Sequence, residues 1–430
     1  MAIHFAALWN PKAKQWIKGR RDLFQDLVKK IKPLDQIIWI HCASAGEFEQ
    51  GKPVIERLKQ IYSHNKILVS FFSPSGYGAG KRYDKADLIC YLPFDTKKNA
   101  EHFLKIVKPQ LVIFVKYEYW LHHLKAVRDN NIPLLLISAI FRSDQFFFKS
   151  YGSFYRKILK LYSNIFVQDE ESMKLLNSIH IPSVVNGDTR IDRVTAISNG
   201  FKDDISIEME WIKMFIGNSK VLIAGSTWPA DEKIIAQLPG EMQGIKLIIA
   251  PHEINKEHIN SIETLFPYSI RYSECKEIIS AKHVSAANTY DIKNPENASV
   301  YLKRLQEANV LILDNVGMLS RIYQYAAISY IGGGFNKSGI HNTLEAAVSG
   351  QLVLFGPNYR KFKEAGELIK AGAAFSISSA KELNQIIEIF LFDESKLNQS
   401  SDAAKKYVLD NQGATEGIIN FIQENRLLTN

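Results

Sequence analysis

The sequence has 430 residues, 46% hydrophobic and 23% charged, a composition typical of a folded globular protein with two domains rather than one. No run reaches the roughly 18–20 apolar residues of a membrane-spanning helix. The three cysteines, Cys42, Cys90 and Cys275, are too scattered for a disulfide framework or a zinc site, and we interpret them as small core residues. The formal net charge of +8 indicates an anionic partner: nucleic acid, a membrane surface or a phosphorylated substrate.

Residues 1–24 combine a short apolar patch with five basic residues that follow it: Lys12, Lys14, Lys18, Arg20 and Arg21. A secretory signal places its charges before a longer apolar run, so this order does not predict export. The pattern fits a segment that lies on an anionic bilayer, and it fits an ordinary amphipathic surface helix equally well.

Eleven short apolar runs, rich in Val and Ile, alternate along the chain with helix-like segments. The first six are QIIWIHC, KILVSFF, DLICYL, QLVIFV, IPLLLIS and NIFVQ, and the other five are KVLIAGS, IKLIIA, NVLILD, ISYIG and QLVLF. Such continuous runs are typical of strands buried on both faces of a parallel sheet. Helices are predicted between them, for example over 98–107, 120–130, 256–266 and 361–370. This alternation predicts an α/β fold of two doubly wound, Rossmann-like domains.

The division between the two predicted domains falls in the segment 191–218, where no strand-like run occurs and charged residues cluster. We therefore assign residues 1–200 to an N-terminal domain and residues 201–430 to a C-terminal domain. Two such domains that face each other would enclose a deep cleft between the carboxyl ends of their strands, which is the expected ligand site.

A single carboxylate, Glu47, stands where the first strand gives way to a helix, in IWIHCASAGEFEQ. The acid could simply complement the positive N-terminus of that helix, which is worth about 0.3–1 kcal/mol. However, Ser44, Ala45 and Gly46 leave no bulk over the carboxylate, so a substrate can approach it closely. An acid held there is well placed to take a proton from an attacking hydroxyl.

A second acid, Glu118, follows the fourth strand in VKYEYW, residues 115–120. Lys116 and Glu118 alternate in an extended or turning segment, so we expect their side chains to project to the same side. The two residues form either a rim ion pair of little energetic value or, through Glu118, a second carboxylate in the cleft.

The most informative pattern is YIGGGFNKSGIHNTLEAAVSGQLVLFGP, residues 330–357. A strand enters a glycine-rich loop that leads into a helix carrying Glu345, and the backbone N–H groups of such loops bind phosphate. Neither a P-loop nor a G-x-G-x-x-G fingerprint is present, which argues against ATPase and dinucleotide sites. Glu345 is expected within reach of ribose hydroxyls. Two more strand-end loops, APHEIN at 250–255 and DNVGML at 314–319, are expected to flank the nucleotide.

Together these motifs resemble the 3-deoxy-D-manno-octulosonic acid (Kdo) transferases of lipopolysaccharide synthesis, which are inverting glycosyltransferases of the GT-B type. The resemblance covers nearly the whole chain. The S-x-G-E turn of that family matches Ser44–Glu47, and its E-x-W matches Glu118–Trp120. Its G-H-N-x-x-E matches GIHNTLE at 339–345, with one residue inserted.

The resemblance implies a role for each matching residue. Glu47 would be the catalytic base, and Glu118 and Arg190 would stabilise the transition state. The contacts to CMP would come from nine residues: Pro251, His252, Val316, Gly317, Met318, Asn342, Thr343, Leu344 and Glu345. The chain departs from the family pattern at His252, Met318 and Arg190, where the family often has Arg, Glu and Lys.

The donor implied by the resemblance is CMP-Kdo, and the acceptor is a lipid A precursor, lipid IVA. The implied location is the cytoplasmic face of the bacterial inner membrane, with peripheral or N-terminal attachment. No metal and no other cofactor is implied, because loop amides can stabilise a nucleoside monophosphate as it leaves.

The stretch 141–157 interleaves aromatic and basic residues. Helical spacing predicts one aromatic face, which either docks on the membrane or packs into the core. The residues predicted on it are Phe147, Phe148, Tyr151, Phe154 and Tyr155.

Two other functions fit part of the sequence. One is a GT-B enzyme that uses a UDP- or GDP-sugar or epimerises a UDP-sugar. The other is a nucleic-acid-binding protein, because the chain is basic and the aromatic residues of 141–157 could stack on bases. The basic residues form no recognised nucleic-acid-binding module, and the buried-strand pattern favours a cleft enzyme.

Overall fold

The computed structural model describes residues 9–201, 206–238, 245–274 and 303–428. The chain divides into two compact units: Met1–Arg193 with Asn411–Asn430, and Val194–Asp410. These bounds differ from the predicted division at residue 200, and the second boundary, between residues 410 and 411, was not predicted.

The first unit contains a seven-stranded parallel sheet in the order β3-β2-β1-β4-β5-β6-β7. Its strands are β1 (Ile37–Cys42), β2 (Lys66–Phe71), β3 (Leu88–Tyr91), β4 (Pro109–Val115), β5 (Leu134–Ala139), β6 (Asn164–Val167) and β7 (Val184–Val185). Its helices are α1 (Pro11–Lys18), α2 (Leu23–Lys30), α3 (Ala45–Ile61), α4 (Pro74–Gly80), α5 (Lys97–Val107), α6 (Leu121–Asp129), α7 (Ser153–Leu159), α8 (Glu170–Ser178) and, at the C-terminus, α18 (Ala414–Glu424). Helix α9 (Thr189–Gly200) contains the first boundary.

The second unit contains another seven-stranded parallel sheet, in the order β10-β11-β9-β8-β12-β13-β14. Its strands are β8 (Lys220–Thr227), β9 (Ile245–Pro251), β10 (Ser269–Arg271), β11 (Val310–Ile312), β12 (Ile328–Ile331), β13 (Leu352–Phe355) and β14 (Ala374–Ser376). Its described helices are α10 (Ile207–Ile216), α11 (Pro229–Ile235), α12 (Lys256–Leu265), α13 (Leu319–Ile322), α14 (Leu344–Val348), α15 (Lys363–Lys370), α16 (Ala380–Phe392) and α17 (Glu394–Asn411).

The strands form where continuous apolar runs occur, because both faces of each sheet are covered. Along β1, Ile37 and Trp39 belong to one buried cluster, whereas Ile38 and Ile40 belong to the cluster on the other face. All eleven predicted strands are confirmed, and so are the four helices predicted over 98–107, 120–130, 256–266 and 361–370. The predicted α/β fold of two doubly wound sheets is therefore confirmed.

The C-terminal residues return to the first unit because their apolar side chains complete one of its cores. Ile418, Ile419 and Ile422 are buried in the same cluster as β1 and α3. Hydrogen bonds fix the start of α18, since Asp192 accepts from the backbone N–H groups of Gly413 and Thr415, both at 2.6 Å. The predicted linker 191–218 is largely helical, in α9 and α10.

Several predictions on single segments can be compared with the structure. Cys42 and Cys90 are buried free thiols, as expected for core residues, and Cys275 lies outside the described residues. Within the described ranges, no helix is both long and apolar enough to cross a membrane. Of the N-terminal segment, residues 1–8 also lie outside the described residues.

The single aromatic face predicted over 141–157 is wrong. The stretch forms a 3₁₀ turn at Phe146–Phe148 and the separate helix α7, so the spacing of one helix does not apply. Phe147 is only 4% exposed and contacts the rings of Tyr119 and Phe141 in the core. The large apolar side chains that remain exposed in this stretch are Phe146, Tyr151 and Phe154.

Candidate functional site

The strand order of the first sheet reverses between β1 and β4, which pair directly. In doubly wound sheets, ligands bind outside the carboxyl ends of the strands at this point. Glu47 follows β1, which ends at Cys42, and Glu118 follows β4, which ends at Val115. The sequence therefore places both predicted acids at the switch point of the first sheet.

Glu47 is fixed at the start of α3 by a capping box. Its Oε2 accepts hydrogen bonds from the Ser44 backbone N–H, at 3.1 Å, and from the Ser44 hydroxyl. These bonds satisfy groups at the helix start that would otherwise lack a partner. Glu47 thus has the structural role considered from the sequence. Its second oxygen, Oε1, accepts no hydrogen bond from the described residues, so the same carboxylate can also meet a substrate.

Glu118 is only 3% exposed and lies in a chain of polar contacts. Its Oε2 accepts from the indole of Trp120 and lies 3.2 Å from Nε2 of His41. The Nδ1 of that histidine lies 2.8 Å from Oγ of Ser70. The expectation of a rim ion pair between Lys116 and Glu118 is wrong, because the carboxylate is buried and its close neighbour is the fully buried His41.

Arg190 lies at the start of α9 and holds Asp188. Its Nε and one terminal nitrogen lie 2.9 and 2.7 Å from Oδ2 of Asp188, and Gln50 donates to Oδ1 at 3.0 Å. Burial alone would raise the pKa of Asp188. The charge and hydrogen bonds of Arg190 outweigh burial, so the pKa lies below its usual value. The pair stays ionised, and this fixes the guanidinium in position.

The electrostatic environment of two buried groups shows that these residues share one neighbourhood. Burial raises the pKa of Tyr117, and the charges of Arg142, Glu47, Arg190 and Asp188 act on it as well. Burial also raises the pKa of the Cys42 thiol, with further contributions from Glu47 and Glu118. Glu47 and Arg190 therefore both lie within electrostatic reach of Tyr117, and Glu47 and Glu118 both lie within reach of Cys42. Tyr117, between Lys116 and Glu118 in VKYEYW, was not predicted to belong to this neighbourhood.

Non-glycine residues adopt left-handed backbone conformations at the carboxyl ends of three strands. They are Lys116 after β4 (φ 73°), Ser138 in β5 (φ 52°) and Ser226 in β8 (φ 55°). The pairing register shifts near these residues, between β5 and β6 and between β8 and β9. Such conformations cost about 1–3 kcal/mol each and concentrate at functional sites. These three residues lie at the same edges of the two sheets as the candidate site residues.

The second sheet reverses its strand order between β8 and β12, and the glycine-rich loop follows β12. Side chains are excluded there by backbone contacts. A Cβ at Gly332 would lie 2.2 Å from the carbonyl oxygen of Ser226, and one at Gly334 would lie 2.5 Å from the backbone of Gly356. Gly333 has φ +90°. All three glycines are buried, and the N–H groups of Gly332 and Gly333 donate to the carbonyl of Gly225 and to Oδ2 of Asp231. The loop therefore packs closely, without side chains, at the switch point.

The motif that follows this loop is internally hydrogen-bonded. The Asn342 amide donates to Oε1 of Glu345 at 3.0 Å, and its Oδ1 accepts from the backbone N–H of Leu344 at 3.1 Å. Thr343 is 1% exposed, and its hydroxyl oxygen has no hydrogen-bond partner among the described residues. Leu344 is fully buried. Asn342 thus orients Glu345, while Leu344 serves the core.

The DNVGML loop offers mainly backbone to a ligand. The Val316 side chain is 86% exposed, whereas Met318 is 4% exposed and packs inside. Gly317 has φ +97°, and a Cβ there would meet nothing within 4 Å. Met318 can therefore reach a ligand only through its backbone.

Three rings stack at the carboxyl ends of β8, β9 and β12. The His252 ring lies 4.8 Å from that of Trp228 and 4.3 Å from that of His341, with interplanar angles of 25° and 28°. Pro251, the buried last residue of β9, leads into His252, whose N–H donates to the carbonyl of Thr227 at 2.9 Å. The sequence analysis did not assign Trp228 to the site, although its place directly after the KVLIAGS strand was a usable signal.

Metal ligation by side chains has no support in the described ranges, where no group of three or more His, Cys, Asp or Glu residues is arranged to hold an ion. The predicted residues instead form two groups, each within one unit. Glu47, Glu118 and Arg190 belong to the first unit, and the nine predicted CMP contacts belong to the second.

Comparison with known proteins finds similarity to one family over part of the chain and to named relatives over most of it. Residues 16–193 match the family of 3-deoxy-D-manno-octulosonic-acid transferases (Kdo transferases). A bifunctional glycosyltransferase/methyltransferase of Fusobacterium nucleatum is 24% identical over 92% of this chain, which spans only 56% of that protein. The 3-deoxy-D-manno-octulosonic acid transferase of Rickettsia prowazekii is 26% identical, over 87% of this chain and 77% of that protein.

Solved structures show the same fold at low sequence identity. The UDP-GlcNAc 2-epimerase of Neisseria meningitidis, bound to UDP-GlcNAc, has a TM-score of 0.58 and 17% identity, over 90% of this chain and all of that one. MurG of Acinetobacter baumannii has a TM-score of 0.54 and 12% identity, over 90% and 99% of the two chains. The two parallel sheets are thus those of the GT-B fold. Residues 16–193 are thus similar to the Kdo transferase family, and the chain is similar to named Kdo transferases over about nine-tenths of its length.

Proposed function

We propose that this glycosyltransferase moves Kdo from CMP-Kdo to a lipid A precursor, lipid IVA, with inversion at the anomeric carbon. One observation carries the proposal: Glu47 and Glu118 follow the two strands between which the first sheet reverses its order, whereas the glycine-rich loop occupies that point of the second sheet. The first unit then binds the acceptor and the second binds the nucleotide.

In this reaction Glu47 is the general base. Its Oε2 is held by Ser44, and Oε1 takes the proton of the acceptor hydroxyl. The hydroxyl oxygen forms its bond to the anomeric carbon as the bond from that carbon to the phosphate oxygen breaks. CMP leaves from the opposite face with the bonding electrons, which inverts the configuration.

Glu118 and Arg190 stabilise the transition state in different ways. Glu118 is buried, so it acts through its negative field and through the contacts with His41 and Trp120 that hold it. Arg190 is half-buried and fixed by Asp188, and it offers positive charge near Glu47. Preorganised charge of this kind costs no reorganisation during the reaction.

The second unit binds CMP-Kdo through the three loops after β9, β11 and β12. Pro251 and His252, the segment 316–318 and the segment 342–345 contact CMP, with Glu345 on the ribose hydroxyls. Backbone amides of the glycine-rich loop stabilise the phosphate as it leaves, so the reaction proceeds without a metal or another cofactor.

A lipid acceptor requires the protein to work at the cytoplasmic face of the inner membrane, attached peripherally or through its N-terminal segment. The exposed Phe146, Tyr151 and Phe154 lie in the same stretch as the exposed cations Lys157 and Lys160, a combination suited to an anionic membrane surface. Nucleic acid is not a partner in this proposal.

The proposal is tested by incubating the purified protein with CMP-Kdo, generated in situ, and a tetraacylated lipid A precursor. Mass spectrometry should detect a product heavier by one or more Kdo residues, and NMR of the new linkage should show the inverted anomer. Thermal stabilisation by CMP, but not by UDP or GDP, is the second expected result. Stabilisation by UDP alone, with no Kdo transfer, would contradict the proposal.

A further inference from the structure

The ring of His341 has a defined tautomer because of its neighbour. Its Nε2 lies 3.0 Å from Nε1 of Trp228. An indole N–H can only donate, so Nε2 must accept and the proton of the imidazole must be on Nδ1. The Nδ1–H makes no hydrogen bond with the described residues and is available to a ligand.

The same ring is held in place by two neighbours. His252 stacks on it, and Trp228 donates a hydrogen bond to it. The ring also lies close to Gly333, because a Cβ added there would be 3.1 Å from its Cδ2. The backbone N–H of His341 donates to the carbonyl of Gly332 at 3.0 Å. The donor therefore stands at a fixed position on the glycine-rich loop, at the switch point of the second sheet.

We propose that His341 is a specificity-determining residue of the donor site, whose neutral ring donates a hydrogen bond from Nδ1 to an anionic oxygen of the nucleotide-linked sugar. This inference rests on the proposed function, which makes CMP-Kdo the donor. The anionic oxygen belongs either to the phosphate of CMP or to the carboxylate of Kdo.

The protonation state of the ring supports this role. Burial, with the nearby His252 as a second cause, lowers the pKa of His341 to about 4. The ring is therefore uncharged near neutral pH and recognises the anion by position rather than by charge. Because a charged donor would bind an anion about twice as strongly, a neutral one retains less of the CMP product.

Calorimetry on two variants tests the proposal. His341→Phe keeps a ring in the stack but removes the donor, and Trp228→Phe keeps its ring but removes the bond that selects the tautomer. If the partner is phosphate, His341→Phe should weaken CMP binding about tenfold or more and leave cytidine binding unchanged. If the partner is the sugar carboxylate, CMP binding should be unchanged, and KM for CMP-Kdo should rise by a similar factor.

The tautomer provides an independent readout. The ¹⁵N chemical shifts of the His341 ring should show Nδ1–H in the wild type and a mixture of tautomers in Trp228→Phe, at an unchanged Tm. Trp228→Phe should also lose part of the affinity that His341→Phe loses, which keeps the test valid if His341→Phe does not fold. The exposed His64 of the first unit supplies the control variant, His64→Phe.

Two results would overturn the inference: an Nε2–H tautomer in the wild type, or CMP affinity and KM for CMP-Kdo both within twofold of wild type in His341→Phe. Failure of the proposed function looks different. In that case the wild type itself binds no CMP and transfers no Kdo, whatever the tautomer of His341.

Discussion

The carboxyl ends of the two sheets share a topology but differ in chemistry. In the first sheet, the turns after β1 and β4 carry carboxylates that neighbouring side chains hold in place: Ser44 for Glu47, and His41 with Trp120 for Glu118. In the second sheet, the turn after β12 is a run of buried glycines, and rings from three loops stack beside it. In the proposed function, the same switch point serves proton transfer in one unit and anion binding in the other, and the loops account for the difference.

The largest effect should come from Glu47→Gln, which keeps the shape of the side chain and removes its proton affinity. Kdo transfer should fall by at least about 10²-fold, the low end of general-base contributions. CMP affinity, measured by calorimetry, should not change, because the proposed nucleotide site lies in the other unit. The control is Glu49→Gln on the same helix, which should transfer Kdo normally. Near-normal turnover of Glu47→Gln would show that Glu47 is not the general base. The proposed contrast, with proton transfer at the first sheet and anion binding at the second, would then be lost.

Unlike Glu47→Gln, the variant Glu345→Ala should impair the binding of CMP. CMP binding should weaken by roughly 1.5–3 kcal/mol, as expected for the loss of a hydrogen bond that involves a charged group. Calorimetry measures the affinity, and the exposed Glu307 supplies the control variant, Glu307→Ala. Unaltered CMP affinity in Glu345→Ala would exclude Glu345 from the donor site.

The first unit should lose stability at acidic pH through His123. Its Nε2 donates to the carbonyl of Pro93 at 3.1 Å, and burial lowers its pKa from 6.5 to about 4. The unfolded chain therefore binds the proton between these values and the folded chain does not, so stability is full above pH 6.5 and falls towards pH 4. We expect a loss of about 2 kcal/mol at pH 5.

Urea unfolding followed at pH 7 and pH 5 measures this loss. In His123→Phe, the difference in free energy of unfolding between the two pH values should be smaller by about the same 2 kcal/mol. The exposed His64 gives the matched control His64→Phe, which should keep the full pH dependence. An unchanged pH dependence in His123→Phe would contradict the prediction.

The smallest effect concerns the membrane. Replacing the exposed Phe146, Tyr151 and Phe154 with Ser should weaken binding to anionic vesicles while leaving CMP affinity and Tm unchanged. Each nearby cation contributes about 1 kcal/mol to the free energy of binding an anionic membrane, and salt screens this attraction. Binding should therefore also weaken with salt and nearly vanish on neutral vesicles. Vesicle co-sedimentation measures both effects.

The buried Phe147 provides the contrast for that experiment. Phe147→Ser should lower the Tm, since its side chain packs in the core. If the exposed triple variant binds vesicles like the wild type, the docking surface lies elsewhere in the chain.

Whether a strand could be predicted from the sequence depended on the length of its apolar run. The central strands were predictable because they are continuous apolar runs. The three strands missed, β7, β10 and β14, have only two or three residues each, stand at sheet edges and are partly exposed. An edge strand has one pairing partner and one open side, so it needs no uninterrupted apolar run.

The candidate site residues, like the strands, could be predicted only where a local sequence pattern identifies them. Acids and glycines at strand ends could be found because strand ends were predictable and the residue types are distinctive. The burial of Glu118 beside His41, the stack of Trp228 on His252 and the inward position of Met318 could not be found. Each of them depends on contacts between loops that are distant in sequence, which no local pattern encodes.

The return of α18 to the first unit has a consequence for synthesis on the ribosome. The core around β1 and α3 lacks Ile418, Ile419 and Ile422 until the last part of the chain emerges, after all of Val194–Asp410. At the usual elongation rates of about 5–20 residues per second, that delay is roughly 10–40 s. During this interval the nascent first unit exposes apolar surface that α18 will later cover, whereas the second unit has already been made in full. The core on which α3, the helix of Glu47, packs is therefore completed only when α18 has been made.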